Sequence, residues 1–309
     1  MSTEPTPLTD TLPAVKCQRI LRVSVSELDL AGTVERIIHW SGRAPARVVI
    51  TANLDHVIKL RDDLAFARVY DEADLVTPDG MPFVWLSRRE GTPLKERVTG
   101  SDLIAPLAKA AAEHNRRVFL FGSTLDRLHA AAKRLKHDNP DLDIVGAYAP
   151  PMGFEDDASL HTELVEMFRA LRPDIVFVAL GAPKQEFWST MMADSLSHGV
   201  FVNIGGGLDF LSRDVKRAPA AMQSMGLEWL WRAVSEPLRL GPRYLRIIVA
   251  LPGLYLMHRA DRAAHERSNR HEAVAATMDR RYRTVRAVTR EAERERAHAT
   301  PTSPTDAET

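Results

Sequence analysis

Short apolar runs alternate with amphipathic stretches along most of the chain. Several runs, such as 47–52 and 200–203, are apolar at nearly every position, which is typical of strands buried on both faces of a parallel sheet. The candidate strands are RILRVSV, RVVITA, DLVT, RVFLFG, DIVGAY, DIVFVALG and VFVNIGGG. Helical periodicity between them predicts an α/β fold, a Rossmann-like, mostly parallel sheet sandwiched by helices.

Polar residues indicate where the helices begin. Ser123 and Pro183 stand at the expected N-terminal positions of two helices. The stretch LDHVIKLRDDLAFARVY predicts one further helix, which Thr51 or Asn53 could cap. Pro183 at the first helical position leaves Lys184 in the first turn. A lysine is unfavourable there because of the positive end of the helix dipole, and a nearby anion would explain its presence.

The pattern divides the chain into four parts. Residues 1–17 are rich in Pro, Thr and acidic side chains and are predicted to be a disordered arm. Residues 18–215 hold the α/β domain, and 216–258 a helical appendage that is both basic and apolar. Residues 259–309 form a charged tail that we expect to be partly disordered. No apolar run reaches the roughly 20 residues that a membrane-spanning helix needs.

The composition excludes several classes of protein. The chain has 309 residues with 41 basic and 41 acidic side chains, so no overall field favours nucleic acid. A single cysteine, Cys17, excludes an intramolecular disulfide framework and a cysteine-based zinc site. The first residues lack the pattern of a secretory signal, and we therefore expect a cytoplasmic protein.

Ligands of an open parallel sheet bind beyond the carboxyl ends of its strands. Four of these ends carry polar or glycine-rich sequence: TANLDH, TPDGMP, GAPKQEFW and GGGLDF. In the second of them, Asp79 is either a turn former or a carboxylate held there to take a proton, and the pattern alone leaves both open. Asp141 and Asp143 imitate a metal-binding D-x-D motif, but they precede their strand and so predict a solvated turn at the opposite edge.

The glycine run and the appendage each allow two interpretations. Gly205, Gly206 and Gly207 are contiguous, which departs from the G-x-G-x-x-G of dinucleotide sites and argues against a nicotinamide-dependent oxidoreductase. Such a run indicates close approach of the backbone to a ligand or to a packed helix. In the appendage, arginines rim an apolar and aromatic surface that fits either a membrane interface or packing on its own domain. The residues of this surface are Trp229, Trp231, Arg232, Arg239, Arg243, Tyr244, Leu245, Arg246, Ile247 and Ile248.

Taken together, these stretches resemble the WecG/TagA/CpsF family of bacterial glycosyltransferases over roughly residues 47–255. The matching elements, in order, are TANLDHV, ADLVTPDGMPFVW, ERVTGSDL, FLFGS, RPDIVFVALGAPKQEFW, NIGGGLDFLSRDVKRAP and GLEWLWRAVSEPLRLGPRY. The resemblance implies an inverting transfer of N-acetylmannosamine, its uronic acid or a hexose. The donor would be a UDP-sugar and the acceptor a polyprenyl-diphosphate-linked sugar in cell-surface polysaccharide synthesis.

The resemblance also implies roles for particular residues. Asp79 would be the general base, in a TPDG sequence where many relatives have ADG, and no metal or other cofactor would be needed. The other implied contacts are Thr51 and Asn53 with a sugar, Arg97 and Gln185 with the diphosphate or sugar, Gly205, Gly206 and Gly207 with the nucleotide, and Arg232, Arg239 and Arg243 with the leaving diphosphate. The protein would act at the inner face of the cell membrane, as a peripheral protein, and a homo-oligomer is compatible with the sequence. A non-catalytic subunit that binds sugar nucleotides is the main alternative, and an oxidoreductase the weaker one.

Overall fold

The computed structural model describes residues 12–208 and 245–260. It also describes the single positions 211, 219, 222, 231, 234, 241 and 263. The described residues up to Leu254 belong to one compact unit and those from Tyr255 onward to a second. Most of the predicted arm and nearly all of the predicted tail lie outside the described residues.

The first apolar run, RILRVSV, forms two strands instead of the one predicted. Strands β1 (Cys17–Ile20) and β2 (Val23–Ser26) pair antiparallel in a separate two-stranded sheet. Leu21 and Arg22 between them have φ values of 51° and 69°, so the chain reverses there. Neither residue type favours this conformation, and the local pattern therefore gave no sign of the turn.

The main sheet has six strands, and every described pairing within it is parallel. Its strands are β3 (Arg47–Ala52), β4 (Leu75–Pro78), β5 (Arg117–Gly122), β6 (Asp143–Tyr148), β7 (Ile175–Ala179) and β8 (Val200–Asn203). Their order across the sheet is β4-β3-β8-β7-β5-β6. The Rossmann-like prediction is confirmed, and the strand ends that carry polar sequence all lie at one edge.

Side chains of the sheet alternate between two apolar cores. On β5, Val118 and Leu120 belong to one core, whereas Phe119 and Phe121 belong to the other. In the second core the rings of Phe121 and Trp188 stack with centroids 3.7 Å apart. Burial of both faces explains why these strands are apolar at successive positions.

Helices cover the sheet. They are α1 (Leu30–Trp40), α2 (Leu54–Asp62), α3 (Leu64–Glu72), α4 (Met81–Arg89), α5 (Gly100–Glu113), α6 (Leu125–Asp138), α7 (Ala158–Leu171) and α8 (Lys184–Ser195). Short 3₁₀ turns lie at Phe154–Asp156 and Gly205–Leu208. Residues 245–254 of the first unit and 255–260 of the second are also helical, as predicted for the appendage. No helix among the described residues is long and apolar enough to cross a membrane.

Three predicted helix starts need correction. The single helix predicted after Asn53 is divided into two helices at Asp63. The N–H of Asp63 donates to the carbonyl of Lys59 at the end of α2, and the Asp63 side chain accepts from the N–H of Phe66 and so caps α3. The N-cap position of α6 is occupied by Thr124, and Ser123, with a φ of 54°, precedes it. Pro183 is the N-cap of α8 and not its first residue.

Candidate active site

The Asp79 turn joins the ends of two neighbouring strands. Asp79 directly follows β4, and its N–H donates to the carbonyl of Ala52 at the end of β3, at 2.7 Å. Gly80 then caps α4 with a φ of 148°, a conformation that residues with a Cβ rarely adopt. The backbone therefore holds this half-buried carboxylate at the carboxyl edge of the sheet.

Arg97 lies beside this turn. The N–H of Val98 donates to the Pro78 carbonyl at 2.9 Å, and the Thr77 hydroxyl donates to the carbonyl of Val98 at 2.9 Å. The segment before α5 thus runs along the end of β4, next to Asp79. The guanidinium of Arg97 is 3.8 Å from the carboxylate of Asp102 on α5. The backbone therefore brings Arg97 to the strand end that Asp79 follows.

Thr51 and Asn53 both have bonds within the protein. The Thr51 hydroxyl is buried and donates to the Asn203 carbonyl at 3.0 Å, which links the ends of β3 and β8. Asn53 caps α2, since its Oδ1 accepts from the N–H groups of Asp55 and His56. Of the two candidate caps, only Asn53 has this role. Contact of either residue with a sugar stays a prediction.

Gln185 reaches the glycine run from α8. Its Oε1 accepts from the N–H of Gly205 at 3.1 Å, and Gly205 has a φ of 54°. Gly207 faces α5, where a Cβ would lie 2.8 Å from Ile104 Cδ1. A packed helix therefore explains Gly207, whereas the bond from Gln185 ties Gly205 to the site. Gly206 lies between them in the same 3₁₀ turn, and contact of the run with a nucleotide stays a prediction.

The sheet order brings most of the predicted site together. Because β4, β3 and β8 are neighbours, the residues after them share one edge, and α8 adds Gln185 there. From β3 the chain continues to β4 on one side of that strand, while β8 lies on its other side. Open α/β sheets bind ligands beyond the strand ends at such a point, where the strand order changes direction. Arg232, Arg239 and Arg243 lie outside the described residues.

A cavity of about 550 Å³ opens between α4 and α5. Its basic side chains are Arg88, Lys95 and Arg97, and its acidic ones are Glu96 and Asp102. Of the predicted site residues, Arg97 alone among those described lines it. The cavity adjoins the Asp79 turn through Met81, the first residue of α4, and its lining carries charges of both signs.

Two polar features of the sequence prove to be structural. Lys184 forms an ion pair with Glu155, which lowers the pKa of that carboxyl, so the anion expected near Lys184 belongs to the chain itself. Asp143 begins β6 at the opposite edge of the sheet and lies 3.7 Å from Arg117. Within the described part of the chain, no group of three or more His, Cys, Asp or Glu side chains is placed to hold a metal ion.

A buried polar cluster lies behind the site, and the sequence analysis did not single it out. His56 Nδ1 is 2.6 Å from the Tyr70 hydroxyl and 4.0 Å from Oε1 of Glu186, whose side chain is fully buried. Burial raises the pKa of Glu186 to about 7. Burial also raises the pKa of Tyr70, as do the charges of Glu186, Asp79 and Asp55, so the cluster is electrostatically coupled to the candidate base. His56 and Glu186 belong to the motifs TANLDHV and GAPKQEFW, and this membership was the one sign in the sequence that they could lie near the site.

Glu186→Gln is expected to flatten the pH dependence of stability. The carboxyl ionises near 4.5 when unfolded and near 7 when folded, so the free energy of unfolding falls as pH rises between these values and this group adds no slope above them. Over this pH range the parent loses roughly 3 kcal/mol of its free energy of unfolding through this group, and Glu186→Gln does not show this loss. Urea denaturation at several pH values measures it, with the exposed Glu166→Gln as a control. Parallel curves for parent and Glu186→Gln would contradict this assignment.

The six-stranded parallel sheet with polar residues at its carboxyl ends is consistent with a glycosyltransferase built on a Rossmann-like sheet. The model of the glycosyl transferase WecG/TagA/CpsF family matches residues 18–265, and the chain belongs to this family. The family prediction is thus confirmed, and the protein is a glycosyltransferase.

Curated relatives of the chain carry a more specific name. A protein of Bacillus spizizenii strain W23, named N-acetylglucosaminyldiphosphoundecaprenol N-acetyl-beta-D-mannosaminyltransferase, is 34% identical over 191 residues, which are 62% of this chain and 72% of the relative. Proteins of the same name from Bacillus subtilis strain 168 and Staphylococcus aureus strain MW2 are each 29% identical, over 201 and 194 residues. These matches cover 65% and 62% of this chain, and 76% and 74% of the relatives.

Proposed function

We propose that the protein transfers a sugar from a UDP-sugar to a sugar linked to polyprenyl diphosphate, with inversion at the anomeric carbon, in the synthesis of a cell-surface polysaccharide. The observation that carries this proposal is the Asp79 turn, which holds a carboxylate at the ligand-binding edge of a glycosyltransferase sheet. The relatives named as transferases to a diphosphoundecaprenol-linked sugar support the acceptor class. N-acetylmannosamine is the donor sugar that their name favours, ahead of its uronic acid or a hexose.

Asp79 is the general base in this proposal. An inverting transfer needs one group that deprotonates the acceptor hydroxyl as it attacks the anomeric carbon, and a fixed carboxylate meets that need. The bond from the Asp79 N–H to Ala52 and the helix start at Met81 fix the carboxylate from both sides. In this proposal Asn53 and Thr51, at the end of the neighbouring strand, contact the donor or acceptor sugar.

Positive charge has to stabilise the leaving diphosphate. Arg97 lies beside the Asp79 turn and lines the cavity, so it is the described guanidinium best placed for this purpose. Guanidinium groups bind phosphate oxygens through paired hydrogen bonds, and preorganised donors of this kind stabilise charge that develops in the transition state. Arg232, Arg239 and Arg243 of the appendage would add to it, and the glycine run and Gln185 would contact the nucleotide and the diphosphate or sugar.

An enzyme that acts on a lipid-linked acceptor has to reach that acceptor at a membrane surface. The helix at 245–254 exposes Leu245, Ile248 and Val249 next to Arg246, which is a combination suited to the headgroup layer. We therefore place the protein as a peripheral protein at the cytoplasmic face of the cell membrane. A homo-oligomer is compatible with this arrangement.

The direct test is turnover of a panel of UDP-sugars on a short-chain polyprenyl-diphosphate acceptor, with UDP release and the product linkage determined. Transfer with inversion supports the proposal, and binding of UDP-sugars without transfer would instead identify a non-catalytic binding subunit. A thermal-shift screen precedes it, because a ligand that binds the native state raises its stability. Stabilisation by NAD(H) but not by UDP would favour the oxidoreductase.

Transfer is expected to persist in EDTA. In this proposal the arginines and helix N–H groups stabilise the diphosphate, and the family resemblance implies a reaction that needs no metal. Initial rates are measured after dialysis against EDTA, with a Mg²⁺-dependent glycosyltransferase as the assay control. A loss of activity that added Mg²⁺ or Mn²⁺ restores would contradict this and would direct attention back to Asp141 and Asp143.

A further inference from the structure

The orientation of Gln185 is fixed by the residue that follows it. Gln185 Nε2 donates to Glu186 Oε1 at 2.7 Å, while its Oε1 accepts from the Gly205 N–H at 3.1 Å. Both side chains are buried, Gln185 with 2% of its surface exposed and Glu186 with none. The Glu186 oxygen thus decides which end of the Gln185 amide faces the glycine run.

A second branch leads from Glu186 to Asn53. Asn53 Oδ1 accepts two backbone N–H groups, so its Nδ2 is the atom 3.3 Å from His56 Nε2. An amide N–H can only donate, and His56 Nε2 must therefore accept. The ring proton is then on Nδ1, within 2.6 Å of the Tyr70 hydroxyl and 4.0 Å from Glu186 Oε1. The first branch ends in a hydrogen bond at the Glu186 carboxyl. The second reaches the carboxyl only as an electrostatic contact, because 4.0 Å is longer than a hydrogen bond.

No cation neutralises this carboxyl at close range among the described residues. His56 is neutral in the network above, and Lys59 of the same helix binds the Asp55 carboxylate at 3.0 Å and the Ala182 carbonyl at 2.8 Å. The pKa of the Tyr70 phenol from α3 is raised by burial and by the charges of Glu186, Asp79 and Asp55, so Tyr70 also faces the carboxyl. Within the described part of the chain, the second oxygen of Glu186, Oε2, is buried and has no hydrogen-bond partner.

Such a group is costly for stability. A buried carboxyl with one unsatisfied oxygen destabilises a fold unless something else is gained, and an apolar side chain of similar shape often serves the core better. The gain here is the orientation of neighbouring side chains, since the carboxyl lies between Gln185 and the pair of His56 and Asn53, and the proposed function assigns Gln185 and Asn53 to the substrates. This part of the reasoning rests on that proposed function.

We infer that Glu186 is a positioning residue, whose buried carboxyl orients Gln185 against Gly205 and, through His56, Asn53 at the end of β3. It does not touch substrate. Gln185 and Asn53 would then present fixed amides to the donor, and Gly205 would be held where the nucleotide is expected.

Three variants test this inference. Glu186→Leu removes the acceptor for Gln185, Glu186→Gln keeps an oxygen acceptor without the charge, and Glu166→Gln is a charge-matched control on the exposed surface of α7. We expect Glu186→Leu to lower kcat on the order of 10- to 100-fold with KM for the UDP-sugar changed less than about threefold, since misplaced contacts act mainly on the transition state. Glu186→Gln should recover most of kcat. If the leucine variant does not fold, Glu186→Met offers the same test with a more adaptable side chain.

A double-variant cycle separates positioning from a merely structural role. If Glu186 acts through Gln185, then Gln185→Ala combined with Glu186→Leu should lose little more kcat than Gln185→Ala alone. Additive losses would overturn the inference, as would a leucine variant with parental kcat. A glutamine variant as impaired as the leucine one would also overturn it, because the carboxyl proton or charge would then be what matters.

One readout does not depend on transfer at all. Hydrogen exchange of the Gly205 amide, followed by NMR, should accelerate about tenfold in Glu186→Leu and stay near the parental rate in Glu186→Gln, because loss of the Gln185 acceptor opens this bond more often. Unchanged exchange in the leucine variant would overturn the inference even if the enzyme is active. Accelerated exchange in a protein that transfers no sugar would uphold the positioning of Gly205 while the proposed function fails.

Discussion

Asp79→Asn is expected to abolish most sugar transfer, with turnover lowered on the order of 10² to 10⁴-fold and affinity for the UDP-sugar within a few-fold of the parent. An amide has nearly the shape of the carboxylate, so the backbone bond to Ala52 and the cap at Gly80 stay in place. The amide cannot accept the proton of the acceptor hydroxyl. The loss should therefore appear in kcat and hardly in binding.

The measurement combines steady-state UDP release with calorimetric titration of the donor. Asp63→Asn is the matched control, because Asp63 caps α3 through the Phe66 N–H and asparagine is an equally good cap. This control should keep parental turnover. Near-parental turnover in Asp79→Asn would return Asp79 to the role of a turn former, whereas an equal loss in donor affinity would make it a binding residue and not the base.

Much of the sheet was predictable from local pattern. Three predicted runs, RVVITA, RVFLFG and DIVGAY, coincide with β3, β5 and β6, because each is framed by polar or turn residues. The first two are buried at nearly every position, whereas β6 is the last strand of the sheet and is half-buried. The errors in the predicted elements occur where a single backbone angle or helix cap determines whether a strand or helix continues. The reversal at Leu21 and the break at Asp63 are examples, since apolar periodicity continues across both positions.

The site was predictable to the extent that loops at strand ends carry it. The positions of Asp79 and Gln185 follow from the rule that parallel strands end at one edge. The role of Glu186 could not be predicted in this way, because it depends on contacts with residues such as His56 that lie 130 positions away in the chain. Neither the pairing of Lys184 with Glu155 nor the burial of Thr51 is a local property of the sequence.

Replacement of the exposed apolar side chains at the end of the first unit is expected to uncouple the enzyme from its lipid-linked substrate. Leu245 is 63% exposed, Ile248 48% and Val249 73%, and all three lie on one short helical segment with Arg246. Insertion of such side chains into the headgroup boundary contributes in proportion to the apolar area buried. The triple serine variant should therefore bind anionic vesicles at least about tenfold more weakly.

The activity assay distinguishes membrane contact from internal packing. Transfer to a long-chain acceptor in vesicles should fall with vesicle binding. Transfer to a short-chain acceptor in solution should stay within about threefold of the parent, because the three replaced side chains are apolar and have no part in binding the diphosphate. The matched control replaces Leu64, Leu125 and Met152, which are also exposed but lie elsewhere, with serine. It should leave both activities unchanged.

Charge gives the second arm of the same prediction. Each arginine near an anionic surface contributes on the order of 1 kcal/mol, so Arg239→Ala with Arg243→Ala should weaken vesicle binding roughly 30-fold at low salt, and less as salt screens the attraction. Truncation after residue 215 should remove vesicle binding and nearly all transfer. Full transfer to a vesicle acceptor by the truncated protein, or parental vesicle binding by the double alanine and triple serine variants, would mean that the appendage packs on its own domain. Recruitment to the membrane would then have to come from another protein.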